Sequence, residues 1–336
     1  MPSASVIVPT YNRPVALART LEALRDMDVA ADSLEIVVVD TGGDENGEAT
    51  AEANGVTYAR RTDAGVASAR NHGAGLASGE LLLFVDDDIV VEPSNLRRHA
   101  AIHQEHERCL VSGHWAFDPA LRRKLEQTPL GRFRLSYEDL YNKPAGLGGE
   151  GQTGQVHPLT LAAANLSIRK DVFWSLGGFD ERFPVGAEDQ DLSWRAARAG
   201  CTLVYDFDIR VIHNDQHTGF AALCRRFERG AIGTVYFARK NPDAQAPPML
   251  TVNAPIRRGD PLRLVARKLS RSFLSQSIAL AFAQHFVKLL ERVRPNGGWP
   301  LEYVYRAVGG LYVFRGVRVG LQLTAGNHWQ RGHRLS

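Results

Sequence analysis

The stretch Leu81-Leu82-Leu83-Phe84-Val85-Asp86-Asp87-Asp88-Ile89 sets an unbroken apolar run directly against three carboxylates. Such a run suits a central strand of a parallel sheet covered on both faces, and strands of that kind present ligands at their carboxyl ends. Side chains alternate along a strand, so Asp86 and Asp88 are expected on one face with Asp87 turned away, giving two oxygen donors for a hard divalent cation. A solvated acidic turn is the alternative. Mutual repulsion of three adjacent carboxylates at the end of a buried strand favours the cation.

Working outward, the first part of the chain alternates strands and helices. Ser5 to Pro9 reads as a strand, and Pro14 to Met27 as a helix with Leu17, Leu21 and Leu24 on one stripe. Leu34 to Val39 is a second strand closing at Asp40, followed by the loop Thr41-Gly42-Gly43-Asp44 and a short helix from Glu48 to Asn54. Val56 to Tyr58 is a third strand, Val66 to Ser78 a third helix, and Glu80 to Val85 the strand that carries the acids. This βαβ series predicts an α/β fold with a mainly parallel sheet flanked by helices.

Two other segments gather polar residues. Thr62-Asp63-Ala64-Gly65 leads into a helix start that carries Arg70 and Asn71, a place where a phosphate can be held; capping by Asp63 and an ion pair for Arg70 is the structural alternative. The second is Gly186 to Gly200, a helix with Glu188, Asp189 and Asp191 in its first turn and Arg195 and Arg198 in its last. Its acids serve either the helix dipole or catalysis. Further on, Ile209-Arg210-Val211-Ile212-His213 closes an apolar strand with a histidine, which beside the acid triplet makes a mixed oxygen and nitrogen site suited to Mn²⁺.

Val6-Ile7-Val8-Pro9-Thr10-Tyr11-Asn12-Arg13-Pro14, Ala69-Arg70-Asn71, Asp86-Asp87-Asp88 and Gly186-Ala187-Glu188-Asp189 together resemble the ordered landmarks of family 2 glycosyltransferases, inverting enzymes of the GT-A fold. The resemblance covers about the first two-thirds of the chain and rests on the order of the motifs. It implies donor contacts from Pro9, Thr10, Tyr11, Asn12 and Arg13, with Asp40, Asp63, Arg70, Asp86 and Asp87 around the nucleotide. It further implies Asn165 near the sugar, Asp88 and His213 on a Mn²⁺ or Mg²⁺ ion, Glu188 and Trp194 on the acceptor side, and Asp189 as the base. Where many relatives carry two acids, a glycine and a serine after the second strand, this chain reads Asp40-Thr41-Gly42-Gly43, so the base it prefers is open. The expected reaction is transfer from a nucleotide-sugar to a glycan or lipid-linked hydroxyl with inversion, in cell-surface glycan or glycolipid synthesis. A haloacid dehalogenase-like phosphatase fits the triplet less well, because several βα units precede it. A non-enzymatic nucleotide-sugar-binding protein at a membrane is the other alternative.

The chain has 336 residues, 44% of them hydrophobic, enough for a large core. Its 3 cysteines, widely spaced, suggest neither a disulfide framework nor a zinc motif, and a reducing cytoplasmic setting is expected. No signal peptide or spanning helix is expected either. A net charge of +3 hides an asymmetry, because Thr251 to Ser336 holds 14 Lys and Arg against 3 Asp and Glu. The proline-rich Asn241 to Pro248 segment divides a catalytic region, residues 1–240, from a basic helical region, 241–336. In the latter, Leu262 to Arg294 has apolar residues at helical intervals among basic ones, and Leu301 to Arg318 mixes aromatic and basic residues as interfacial segments do. An anionic membrane surface is the expected partner, with packing on the catalytic core or into a homo-oligomer as the alternative; no nucleic acid is expected. Arg122 to Gln155 reads as an acceptor loop.

Overall fold

The computed structural model describes residues 3–42, 45–61, 65–141, 147–213, 219–244 and 248–325. In chain order its elements are β1 (Ala4–Thr10), α1 (Pro14–Arg25), β2 (Leu34–Asp40), α2 (Glu45–Ala53), β3 (Thr57–Arg60), α3 (Val66–Leu76), β4 (Leu81–Val85), β5 (Ile89–Val91) and α4 (Asn95–Glu105). These are followed by β6 (Cys109–Phe117), α5 (Pro119–Glu126), α6 (Pro129–Tyr141), β7 (Thr153–Gln155), β8 (Asn165–Arg169), α7 (Lys170–Ser175), α8 (Glu188–Arg198) and β9 (Thr202–His213). Among the described residues these are followed by the helices α9 (Phe220–Lys240), α10 (Pro248–Asn253), α11 (Leu262–Leu274), α12 (Ser277–Val293) and α13 (Leu301–Leu323).

Two compact units result. The first holds every strand, in one sheet of order β3-β2-β1-β4-β8-β6-β9-β5 with β7 beside β9. The four strands from β3 to β4 are parallel, as the βαβ pattern requires, whereas β8 runs antiparallel to both β4 and β6, and β5 antiparallel to β9. Alternate residues of β1 and β4 feed two cores. Ile7, Leu82 and Phe84 pack with α3, α7 and α8 on one face, and Val6, Val8, Leu83 and Val85 pack with Leu17, Leu21 and Leu24 of α1 on the other. Pro9 is tolerated inside β1 because pairing with β4 ends at Ile7–Phe84, so no hydrogen bond from residue 9 is needed on that side.

The strand expected from Ile209 to His213 begins earlier, at Thr202, as part of β9, with a register shift opposite Gly113 of β6. A side chain at Gly113 would collide with the Ile209 backbone, so the bulge needs glycine there. Pairing of Ile89 with His213 then sets the end of β9 next to Asp88.

The second unit comprises 119–140, 182–187 and 216–336. The division differs from the boundary read at 240/241, since α9 and the 119–140 segment both belong to the helical unit. The stretch expected as an acceptor loop is largely α5 and α6, with Phe133 buried beside Leu280, Leu301 and Tyr305; residues 142–146 fall outside the described set. The aromatic residues of the stretch from Leu301 onward divide, with Tyr303 exposed. Tyr305, Tyr312 and Phe314 of α13 lie inside the unit and are not offered to an interface. Gly309, Gly316 and Gly320 let α13 approach α9 closely, where Arg315 grips Glu228 through Nε and Nη2 at 2.6 and 2.5 Å.

Candidate functional site

The site grows from the carboxyl end of β4. The triplet is not an extension of the strand: Ile89 N–H donates to the Asp86 carbonyl at 3.2 Å, closing a turn, so strand alternation stops at Val85. Asp86 and Asp88 therefore do not share a strand face, and each acid has its own partners. Asp87, expected to point away from the pair, is buried, accepting from Thr10 Oγ1 at 2.7 Å and from Arg13 at 3.2 Å, while Thr20 of α1 donates to its carbonyl at 2.9 Å. Burial pushes its carboxyl up to about 6 against the opposing pull of Thr10 and Arg13.

Arg13 also reaches Asp88 Oδ2 at 3.1 Å, leaving Oδ1 facing His213 Nε2 at 3.3 Å. Burial raises the proton affinity of Asp88, but the histidine and the guanidinium outweigh it and hold the carboxyl below its ordinary range. Among the described residues no group of three or more His, Cys, Asp or Glu side chains converges on one point. Asp88 and His213 nevertheless fit a Mn²⁺ or Mg²⁺ ion, because such ions are commonly held by one or two protein ligands with phosphate oxygens and water completing the shell.

Arg70 joins this turn to α8. Its Nη2 donates to Asp86 at 2.7 Å and its Nη1 to Glu188 at 2.8 Å, while the guanidinium stacks over Phe179 at 5.4 Å. The side chain is buried, so it organises the site from within and is not presented to solvent. Asn71, the next residue, holds the Phe179 backbone by both its N–H and its carbonyl. At the start of α8 Asp189 is partly buried; its Oδ1 accepts from Gln190 N–H at 2.8 Å and its Oδ2 from Ala163 N–H at 3.4 Å. Burial and the neighbouring Glu188 push its carboxyl up to about 6, against a downward pull from Arg70. Trp194 lies further along α8, its ring 6.5 Å from that of His157.

Tyr11 is 62% exposed and Asn12 beside it takes a left-handed backbone, so the loop after β1 presents both to solvent. Asp40 is not so placed. It is buried, accepting from Gly42 N–H at 2.7 Å and Tyr58 OH at 3.0 Å, with Gly47 against it where a larger residue would collide. Asp63 lies outside the described residues.

Asn165 turns toward α4, into an assembly the sequence did not reveal. Its Oδ1 can only accept, so the contact with His99 Nε2 at 3.1 Å fixes that nitrogen as the donor. His99 Nδ1 then accepts from Ser167 at 2.8 Å, Ser167 from His103 Nε2 at 2.8 Å, and His103 Nδ1 from the Cys109 thiol at 3.2 Å. Burial drives His99 down to about 3 and His103 to about 4 and lifts Cys109 to about 12, so the chain is neutral near pH 7. Asn165 Nδ2 keeps no protein partner among the described residues. The spacing of His99 and His103 on one helix face was the signal that could have exposed this chain. Replacing His99 with Phe should strand both the Asn165 and Ser167 acceptor-donor contacts and cost about 2–5 kcal/mol in urea unfolding; a loss under about 0.5 kcal/mol would mean the chain carries no stability.

Residues 5–156 match the model described as Glycosyl transferase family 2. A validoxylamine A glucosyltransferase of Streptomyces hygroscopicus subsp. jinggangensis is 28% identical over 258 residues, covering 68% of this chain and 61% of the relative. A pre-mycofactocin glycosyltransferase of Mycobacterium tuberculosis is 24% identical over 257 residues, covering 74% and 50%. The chain thus spans between half and two-thirds of the length of these relatives. In fold it is similar to the mannosyltransferase PcManGT from Pyrobaculum calidifontis, solved with GDP-Man and Mn²⁺, with a TM-score of 0.59 at 18% identity over 96% of this chain and 88% of that one. A sheet whose parallel half ends in an acidic turn, and the family model that overlies it, identify residues 5–156 as a glycosyl transferase family 2 region with the GT-A fold.

Proposed function

We propose that the protein transfers a sugar from a nucleotide-sugar to an acceptor hydroxyl by a single inverting displacement. The observation that carries this reading is the bridge Asp86–Arg70–Glu188, which ties the acidic turn at the end of β4 to the helix start that bears Asp189. One buried cation thereby fixes the spacing between two carboxylate clusters of different character. Asp88 is held ionised, as a metal ligand must be, and Asp189 is poised near 6, as suits a general base at neutral pH.

In this reading Thr10, Tyr11, Asn12 and Arg13 border the nucleotide, with Pro9 setting the end of β1 and Asp86 facing the ribose. Asp87 acts through Thr10 and Arg13, and Asp40 through Gly42 and Tyr58, since both carboxylates are already engaged. Asp88 and His213 would hold Mn²⁺ or Mg²⁺, and such an ion neutralises charge on a departing diphosphate. Asp189 accepts the proton of the attacking hydroxyl, while Glu188 keeps Arg70 in place and Trp194 offers an aromatic surface on the acceptor side. The relatives act on validoxylamine A and pre-mycofactocin, and the fold neighbour binds GDP-Man with Mn²⁺. Those names support a nucleotide-sugar donor and leave its base and sugar to the loops. A glycan or lipid-linked acceptor, handled at the cytoplasmic membrane face in cell-surface synthesis, completes the proposal.

The test is a thermal-shift screen of nucleotide-sugars with and without Mn²⁺. One donor should raise the melting temperature in a metal-dependent way, and Asp88→Ala should remove that dependence. A donor that stabilises the enzyme equally in EDTA would overturn the metal assignment, and no response to any donor would overturn the transferase reading.

A further inference from the structure

Helix α11 is an amphipathic helix turned inside out. Leu262, Leu269 and Phe273 recur at helical spacing and are exposed, Phe273 by 75%, while the one buried residue of the helix is Lys268. The Lys268 ammonium meets Asp260 at 2.7 Å and the Pro255 carbonyl at 3.2 Å, and on the same side Arg271 reaches Asn253. Helix α12 has two apolar faces. Leu280 and Val287 fill the core of the helical unit, and on the opposite side Ile278, Phe282, Phe286, Leu289 and Val293 are exposed, Phe282 by 73%. Exposed single apolar residues are ordinary, but two consecutive stripes mark an interaction surface.

The charges on these helices decide what covers them. Arg263, Arg267, Lys288 and Arg292 are exposed alongside the stripes. The acids between Arg257 and Arg294 are Asp260 and Glu291, and each is engaged internally, the first by Lys268 and the second by Tyr305 OH at 2.7 Å. An apolar stripe with cationic flanks complements a layer that is anionic at its surface and apolar beneath. A two-fold contact with a second copy would instead set like charges against each other. Spanning is also disfavoured. The helices meet at 87°, and among the described residues no single helix is long and apolar enough to cross a membrane.

We propose that α11 and α12 form a docking face for an anionic lipid bilayer, lying along the interface with Phe273, Phe282 and Phe286 among the acyl chains and the arginines and lysine at the headgroups. This deepens the membrane placement in the proposed function and uses none of the catalytic assignments. The test is co-sedimentation of the full chain with vesicles of phosphatidylcholine alone or mixed with phosphatidylglycerol. The chain should pellet with the mixed vesicles, less so as salt rises, and Phe282→Asp with Phe286→Asp should weaken partitioning at least about tenfold. The same variant should keep its melting temperature and its nucleotide-sugar response in vesicle-free buffer, which separates failure of docking from failure of the transferase reading. Absence of pelleting with phosphatidylglycerol would overturn the inference, as would a variant that pellets like the parent. A dimer that ignores vesicles and is split by the two substitutions would also overturn it and assign the face to a second copy.

Discussion

Asp189→Asn is expected to lower kcat by about 10²–10⁴-fold, the range that positioned proton transfer supplies, while the affinity for the nucleotide-sugar stays close to that of the parent. Asparagine keeps the size of the side chain and one oxygen for the Gln190 or Ala163 N–H, so the helix start should survive the change. Glu188 cannot deputise, because it is buried and its carboxylate is committed to Arg70. The pH dependence follows from the same residue. A base works when deprotonated, and burial with the Glu188 charge raises Asp189 to about 6, so kcat/KM of the parent should fall below about pH 6 and level off above it. Residual activity of the Asn variant should lack that acid limb. Steady-state rates from pH 5 to pH 8 with nucleoside diphosphate release as readout decide the matter: a variant with parental kcat, or one that keeps the limb, removes Asp189 from the role.

Much of this site could be read in the sequence, and what could not has identifiable causes. Leu81–Val85 is apolar at every position because helices cover both faces of β4, and that signal is local to a few residues. The helix start that carries Asp189 was visible for the same reason, since an acidic first turn before a leucine stripe is a local pattern. The arrangement of Asp86 and Asp88 was misread because alternation holds only while the strand continues, and the turn after Val85 is closed by a backbone hydrogen bond with no side-chain signature. Pairings between distant segments were hidden as well. Nothing near Asn165 in sequence announces His99 on α4, and nothing in Lys268 announces that α11 buries its polar side. The periodicity of α11 and α12 was correct, but periodicity gives the stripe and not the direction it faces.

Arg70→Met is expected to destabilise the first unit by about 3–5 kcal/mol, because it removes the charge that compensates two carboxylates while leaving them in place. Glu188 is the costlier of the two. It is buried and its second oxygen has no protein partner among the described residues, whereas Asp86 is partly solvated. The double variant Arg70→Met with Glu188→Gln should therefore recover part of the loss, and urea unfolding of the two singles and the double measures that coupling. Strict additivity would show that the bridge is not an energetic unit. Catalysis should register the change separately from stability. Arg70 pulls the proton affinity of Asp189 down, so its removal must raise it, and the acid limb of kcat/KM in the Met variant should move to higher pH than in the parent. A variant that is less stable yet titrates like the parent would confine Arg70 to holding β4 and α8 together; a shifted limb would show that the same buried cation also sets the strength of the base.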